Sequence, residues 1–173
     1  EARPLRADVH LASGSLVVGD ADVDLREARV QGRYLLLATD PLSMEFALDW
    51  RTHSTLPVTG RTAGLGTLRE LRTRTNVTAP LRAGIHMTLL DLDREFRWTA
   101  TGLIAELDTR RLSPSSVVGS WHGTLRGTGR QTGAALRGEL TSTVIDGRTL
   151  RYEAIGRYAN HGLDLSRLAL DLP

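Results

Sequence analysis

The stretch Leu136–Val144, which reads Leu-Arg-Gly-Glu-Leu-Thr-Ser-Thr-Val, contains the pattern that decides the fold. Successive side chains of a β-strand point to opposite faces, so the two leucines and the valine share one face while the arginine and the glutamate share the other. Such alternation is typical of an antiparallel sheet with one apolar and one solvated face, because strands buried on both faces read as continuous apolar runs. The stretch therefore predicts an all-β fold.

The same alternation recurs along most of the chain and identifies a predicted apolar face. Turn signals separate the alternating segments: Asp146-Gly147 suits a two-residue hairpin, and Asn160-His161-Gly162 indicates a second hairpin. The residues predicted to line the apolar face are Met44, Phe46, Leu48, Trp50, Ile85, Met87, Leu89, Phe96, Trp98, Trp121, Leu125, Leu136, Leu140, Val144, Leu150, Tyr152, Leu163 and Leu165.

Composition limits the classes of function. The 173 residues are 40% hydrophobic but only 5% aromatic, and 22 basic residues, all of them arginine, nearly balance 20 acidic ones. Nucleic-acid binding would require a dense basic stripe with stacking aromatic side chains, so we expect no nucleic-acid partner. The absence of cysteine excludes disulfides and thiolate chemistry. The length suits one domain, and we interpret residues 1–173 as a single segment cut from a longer repetitive protein.

Residues that could carry catalysis or bind a metal are scattered. The five histidines lie far apart in sequence, and no HExxH, GxSxG or phosphate-loop motif is present. Asp91, Asp93 and Glu95 alternate and could form a carboxylate trio for Ca²⁺ on a strand, but a solvated strand face is the favoured interpretation. We therefore predict no enzyme, no catalytic residue, no metal site and no cofactor.

Two local patterns predict deviations from regular strands. The segments Val23–Val30 and Leu163–Leu170 resemble each other, and in both the apolar positions change parity, which predicts a β-bulge in each. The spacing of apolar residues in Leu68–Arg72 and from Leu103 to Leu112 also allows a short helical turn, although the surrounding threonines and glycines favour a strand.

Alternation alone leaves two interpretations of the apolar face open. The face can be the filled core of a closed β-sandwich or solenoid that serves as a structural or protein-interaction module. Alternatively, it can line an open groove for acyl chains. An unpaired charge on such a face costs several kcal/mol. We therefore predict that the inward positions are uncharged.

A family resemblance favours the groove. The order of motifs from Phe96 to Leu172 resembles the β-repeat region of the TamB family, the translocation and assembly module, and its AsmA-like relatives. The motifs that carry the resemblance are Phe96-Arg97-Trp98, Leu107-Asp108, Leu112-Ser113-Pro114, Gly119-Ser120-Trp121-His122-Gly123, Leu125-Arg126-Gly127-Thr128-Gly129, Leu136-Arg137-Gly138-Glu139-Leu140, Leu150-Arg151-Tyr152-Glu153 and Leu163-Asp164-Leu165. The likeness covers roughly the last eighty residues well and the first ninety only in style.

The resemblance implies a fold, a location and partners. The fold would be a long curved antiparallel sheet folded as a β-taco, a U-shaped half-pipe with an apolar inner groove. The full-length protein would be anchored in the inner membrane of a Gram-negative bacterium and bridge the periplasm. Its groove would bind phospholipid acyl chains during transfer between the membranes and so support outer-membrane biogenesis. Other parts of that protein would contact an outer-membrane β-barrel assembly protein of the TamA type. Exposed edge strands would also allow self-association.

Overall fold

The computed structural model describes the backbone of residues 6–12, 15–108, 120–130, 132–143, 149–159 and 162–171. Side chains are described for residues 19–108, 120–130, 132–142, 151–157, 164, 166 and 167. The described backbone forms twelve β-strands: β1 (Arg6–Ala12), β2 (Ser15–Asp24), β3 (Ala28–Leu37), β4 (Ser43–Thr52), β5 (Thr59–Thr67), β6 (Glu70–Ala79), β7 (Arg82–Leu90), β8 (Arg97–Asp108), β9 (Ser120–Arg130), β10 (Gly133–Thr143), β11 (Thr149–Ala159) and β12 (Gly162–Asp171).

All twelve strands belong to one open antiparallel sheet, and their order in space is their order in sequence. Each strand pairs with the strand before it and the strand after it, so β1 and β12 form the two edges. The described residues include no helix with the length and hydropathy needed to cross a membrane. The predicted all-β antiparallel sheet is therefore confirmed, while the U-shaped curvature and the groove remain predictions.

The strand register divides the side chains between two faces. We call the face that contains Trp50 and Trp98 the uncharged face, and the opposite face the charged face. One row of paired positions crosses the uncharged face from β3 to β11 and consists of Gly32, Leu48, Thr62, Thr75, Ile85, Gly102, Leu125, Gly138 and Ala154. The register thus keeps one face continuous across nine strands.

The uncharged face is only partly covered. Among the described side chains, the buried apolar one is Leu71, which is 5% exposed, whereas Met44, Phe46 and Trp50 are half-buried. In a closed sandwich, a second sheet would cover these large side chains almost completely. The described strands form a single sheet, so the closed-sandwich interpretation does not describe this part of the chain.

Aromatic rings on the uncharged face lie over glycines of the next strand. A Cβ atom placed on Gly64 would lie 2.3 Å from the ring of Phe46, and one placed on Gly129 would lie 2.5 Å from the ring of Trp98. The glycines give each ring a flat position against the neighbouring backbone, which buries ring surface without a second layer. This packing within the sheet substitutes in part for a core.

Bulges occur in β2, β6, β8 and β12. In β12, Arg167 pairs with Ile155 and Leu165 pairs with Gly156, so Ser166 is the extra residue, and its hydroxyl donates a 3.1 Å hydrogen bond to the carbonyl of Ile155. The bulge predicted in Leu163–Leu170 is therefore confirmed. In β8, Ala105 is extra relative to both neighbouring strands.

Two local predictions were wrong because turns replace the expected strand features. In Val23–Val30 the change of parity comes from the turn between β2 and β3, since β2 ends at Asp24 and β3 begins at Ala28. The residues from Asp91 to Glu95 form the connection between β7 and β8, and Asp91 adopts a φ of 54°. Asparagine and aspartate tolerate this left-handed conformation better than most residues do. For Leu68–Arg72, the favoured strand is present from Glu70 onward as the start of β6, after a bend at Leu68 and Arg69.

Candidate functional site

The uncharged face contains most residues of the predicted apolar face. Register places the following predicted residues there: Met44, Phe46, Leu48 and Trp50 in β4, Ile85, Met87 and Leu89 in β7, Trp98 in β8, Trp121 and Leu125 in β9, Leu136 and Leu140 in β10, and Tyr152 in β11. The structure thus brings residues from six strands onto one surface. Their contact with lipid stays a prediction.

The remaining five predicted residues are placed differently. Phe96 precedes β8 and is half-buried, outside any strand. The backbone of Leu150 lies in β11, and that of Leu163 and Leu165 lies in β12, but their side chains are outside the described part. Val144 and the turn Asp146-Gly147 lie outside the described residues, although Thr143 pairs with Thr149 on either side of that turn.

Charge is segregated completely between the two faces in the described part of the sheet. No arginine, aspartate or glutamate whose side chain is described lies at a strand position of the uncharged face. The positions predicted to face inward are therefore uncharged among these residues, while their inward orientation stays a prediction. Because desolvating an unpaired charge is costly, such a face can contact apolar material without a charged group losing its hydration.

Ion pairs connect neighbouring strands on the charged face. Arg33 lies 3.1 Å from Asp20, and Arg29 lies 2.8 Å from Asp22. The hydrogen bond and the charge of Asp22 raise the pKa of Arg29 above its ordinary value. Exposed pairs of this kind contribute little stability each, but they keep this face hydrated.

A concavity of about 220 Å³ lies on the uncharged face between β8 and β11. Its lining comprises Ile104, Thr124, Leu125, Leu136, Gly138, Leu140, Tyr152, Ala154 and Gly156. Four of these residues, Leu125, Leu136, Leu140 and Tyr152, belong to the predicted apolar face. Apart from Thr124 and the phenol of Tyr152, the lining is aliphatic or glycine, so hydrocarbon matches it chemically.

Aromatic packing closes the sheet surface next to this concavity. The rings of Trp121 and Tyr152 meet edge to face, with centroids 6.4 Å apart and planes inclined by 75°. Ser142, the cross-strand neighbour of Trp121, is fully buried, and its hydroxyl donates a 2.7 Å hydrogen bond to the carbonyl of Ser120. Edge-to-face pairs stabilise beyond the area that they bury, so this pair fixes one border of the concavity.

A chain of hydrogen bonds lies on the part of the face that sequence reasoning missed. The indole nitrogen of Trp50 donates to the hydroxyl of Thr62 over 3.0 Å, and the hydroxyls of Thr62 and Thr75 are 2.9 Å apart. In β5 and β6 the positions on the uncharged face are mostly glycine and threonine, whereas Leu65 points to the charged face and is 65% exposed. The apolar alternation therefore disappears there, and only the register with β4 reveals the face.

Charged side chains line two concavities at the charged face. The first, of about 500 Å³, is lined mainly by residues of that face, among them Arg97 and Arg130. The second, of about 600 Å³, is lined by Arg29 and Asp49 of that face together with residues of the connection between β4 and β5. Asp91 forms an ion pair with Arg97, and Glu95 lies 3.7 Å from Arg130. No group of three acidic or histidine side chains in the described part has metal-binding geometry.

Comparison of the chain with family models, with curated proteins and with solved structures gives no match.

Proposed function

We propose that this chain is a segment of a bridge-type lipid-transfer protein that binds phospholipid acyl chains along the uncharged face of its sheet. Binding and transfer would need no catalysis and no cofactor. The observation that carries this proposal is the complete segregation of charge across the described sheet. A face that excludes charge from β2 to β11 and remains only partly covered by protein is suited to a long apolar ligand.

The energetics of the face favour hydrocarbon. Burial of apolar surface contributes about 25 cal/mol per Å². The half-buried side chains of Leu48, Met87 and Leu136 therefore retain apolar area that an acyl chain can remove from water. The charged face meanwhile keeps the sheet hydrated through pairs such as Arg33 with Asp20.

The sequence resemblance supplies the proposed biological setting. The segment would belong to a periplasmic protein anchored in the inner membrane, with the sheet curved into a half-pipe around the acyl chains. Transfer along the half-pipe would carry phospholipid between the inner and outer membranes, and a barrel assembly protein of the outer membrane would contact other parts of the full-length chain.

Photo-crosslinking tests this function at two adjacent residues. Trp121 lies on the uncharged face and is half-buried, whereas His122 lies on the charged face and is exposed. A benzoylphenylalanine would replace one or the other in the purified chain, which would then be irradiated with vesicles of phosphatidylethanolamine and phosphatidylglycerol. We expect a phospholipid adduct at position 121 and none at position 122. Adducts at neither position, or equal yields at both, would contradict the proposal and favour a structural module.

A further inference from the structure

One row of positions crosses the uncharged face from a polar cluster of side chains to the apolar concavity. The polar cluster comprises Trp50, Thr62 and Thr75, and we call it the station. From β4 onward the row runs Leu48, Thr62, Thr75, Ile85, Gly102, Leu125 and Gly138. Thr62 and Thr75 are its hydroxyl-bearing members, and they are adjacent. Gly138 lies in the lining of the 220 Å³ concavity. The inference drawn from this row rests on the proposed lipid-binding function and specifies the chemical class of lipid.

The hydrogen-bond inventory of the station leaves one donor free. The Trp50 indole and the hydroxyls of Thr62 and Thr75 supply three hydrogens. Two hydrogen bonds connect these groups, and within the described residues neither threonine has a further protein partner. Whichever hydroxyl donates in the pair, one O–H hydrogen remains for an outside acceptor. The station is half-buried, so that acceptor approaches from the open side of the uncharged face.

The distance along the row suits a long acyl chain. Thr75 and Gly138 are separated by four strand-to-strand steps, through β7, β8 and β9 to β10. Paired strands lie about 4.8 Å apart, so this path is about 19 Å long. The positions between them are Ile85, Gly102 and Leu125, which offer an apolar path without a polar side chain.

The glycines on this path have no local structural cause. A Cβ atom on Gly102 or Gly138 would have its nearest neighbour at 3.5 Å, an ordinary contact distance, and neither residue has a positive φ. Glycine inside a strand weakens the strand, and it often marks a place where a ligand approaches the backbone. Gly102 and Gly138 thus each leave room for about a methyl group beside the backbone, and Gly138 also lines the concavity.

We propose that the ligand is an acyl ester lipid held in one register. Its carbonyl oxygen accepts the free hydroxyl hydrogen of the Thr62–Thr75 pair, and its chain crosses Ile85 and Gly102 and ends in the concavity at Gly138. An ether lipid with the same alkyl chain lacks the carbonyl acceptor and binds more weakly. The uncharged face thereby distinguishes acyl esters from plain alkyl chains through one neutral hydrogen bond.

A matched pair of ligands tests this register on the unmodified chain. Monopalmitoylglycerol and its hexadecyl ether analogue differ in the carbonyl and share the glycerol and the chain length. Each would displace an apolar fluorophore from the purified protein below its aggregation concentration. A single neutral hydrogen bond predicts about a fivefold preference for the ester. Equal affinities would overturn the register while leaving the proposed function intact, whereas binding of neither ligand would overturn both.

A variant that lacks all three donors tests whether the preference for the ester over the ether arises at the station. In the combined variant Trp50→Phe, Thr62→Val, Thr75→Val, we expect the ester preference to disappear while affinity for the ether stays within about twofold. The control variant Thr101→Val, Thr128→Val removes two hydroxyls from the charged face and should keep the preference. If the control loses the preference, or if the triple variant folds and keeps it, the carbonyl does not bind at this station. If the triple variant does not fold, the comparison of ester and ether on the unmodified chain decides the question.

Discussion

Glycine occupies different positions of the uncharged face for different physical reasons. A Cβ atom on Gly123 would lie 1.9 Å from the carbonyl oxygen of Glu139, which belongs to the backbone of the neighbouring strand and cannot move aside. At Gly138, one strand away, the nearest atom is the end of the Leu125 side chain at 3.5 Å. Gly123 therefore permits close strand approach, while Gly138 lies where a methyl group would make ordinary van der Waals contacts.

This difference predicts opposite effects of the same substitution. Gly123→Ala should destabilise the chain by about 1–3 kcal/mol, because the methyl group overpacks against backbone. Gly138→Ala should leave stability unchanged or raise it by up to about 1 kcal/mol, because alanine loses less conformational entropy on folding and the site has room. Urea unfolding curves of both variants would measure these changes. Equal destabilisation by both would contradict the distinction.

At the scale of the strands, the period of two made much of the fold predictable. In β4 and β9, apolar and polar residues alternate strictly enough to assign faces, and the register agrees with the assignment of Trp50 and Trp121. In β5 and β6 the positions facing the same way carry small or hydroxyl side chains, so no apolar signal identifies the face. The Thr62–Thr75 pair and the concavity depend on which residues lie opposite each other in neighbouring strands, information that a single strand does not contain.

The turns show the other limit of reasoning from sequence. A change of parity in the apolar pattern is produced equally by a bulge, as at Ser166, and by a tight turn, as between Asp24 and Ala28. Likewise, the acidic residues Asp91, Asp93 and Glu95 alternate with other residues as they would in a strand, but they lie in a turn. From this turn Asp91 forms an ion pair with Arg97, and Glu95 forms one with Arg130. The apolar pattern within one segment shows that the parity changes. Only the pairing with the next strand shows whether a bulge or a turn causes the change.

The bulge in β8 leads to a prediction about deletions. Ala105 has no paired partner in β7 or β9, so deleting it restores regular pairing and keeps every side chain on its face. Deleting Thr101, four residues earlier in the same strand, shifts one half of β8 by one residue and turns Arg97 or Ile104 to the wrong face. We expect the first variant to unfold cooperatively near the melting temperature of the parent and the second to lose its β-sheet signal, both by circular dichroism. A stable Thr101 deletion would show that the faces are not fixed by register.

At the scale of the whole molecule, the described part of the sheet buries little apolar surface, since Leu71 is the buried apolar side chain among the described ones. The described part of the sheet is therefore stabilised by strand pairing, by rings that lie over glycines and by half-buried aliphatic side chains. A ligand that binds the folded chain alone adds stability in proportion to the logarithm of its concentration above the dissociation constant. Under the proposed function, lipid bound to the uncharged face would therefore add to the stability of the sheet.

Two exposed leucines on opposite faces provide a matched test of that link. Leu125 lies on the uncharged face beside the concavity and is 37% exposed, whereas Leu103 lies on the charged face and is 59% exposed. We expect the native chain to bind an apolar fluorophore and to release it to a long-chain amphiphile. Leu125→Arg should reduce fluorophore binding at least tenfold, because the arginine places a charge in the apolar path, while Leu103→Arg should leave binding within about twofold. Both variants should stay folded, since neither leucine is buried, and circular dichroism would verify this. Fluorophore binding that appears only on unfolding, or an equal loss in both variants, would show that the uncharged face does not bind apolar ligands in the native state.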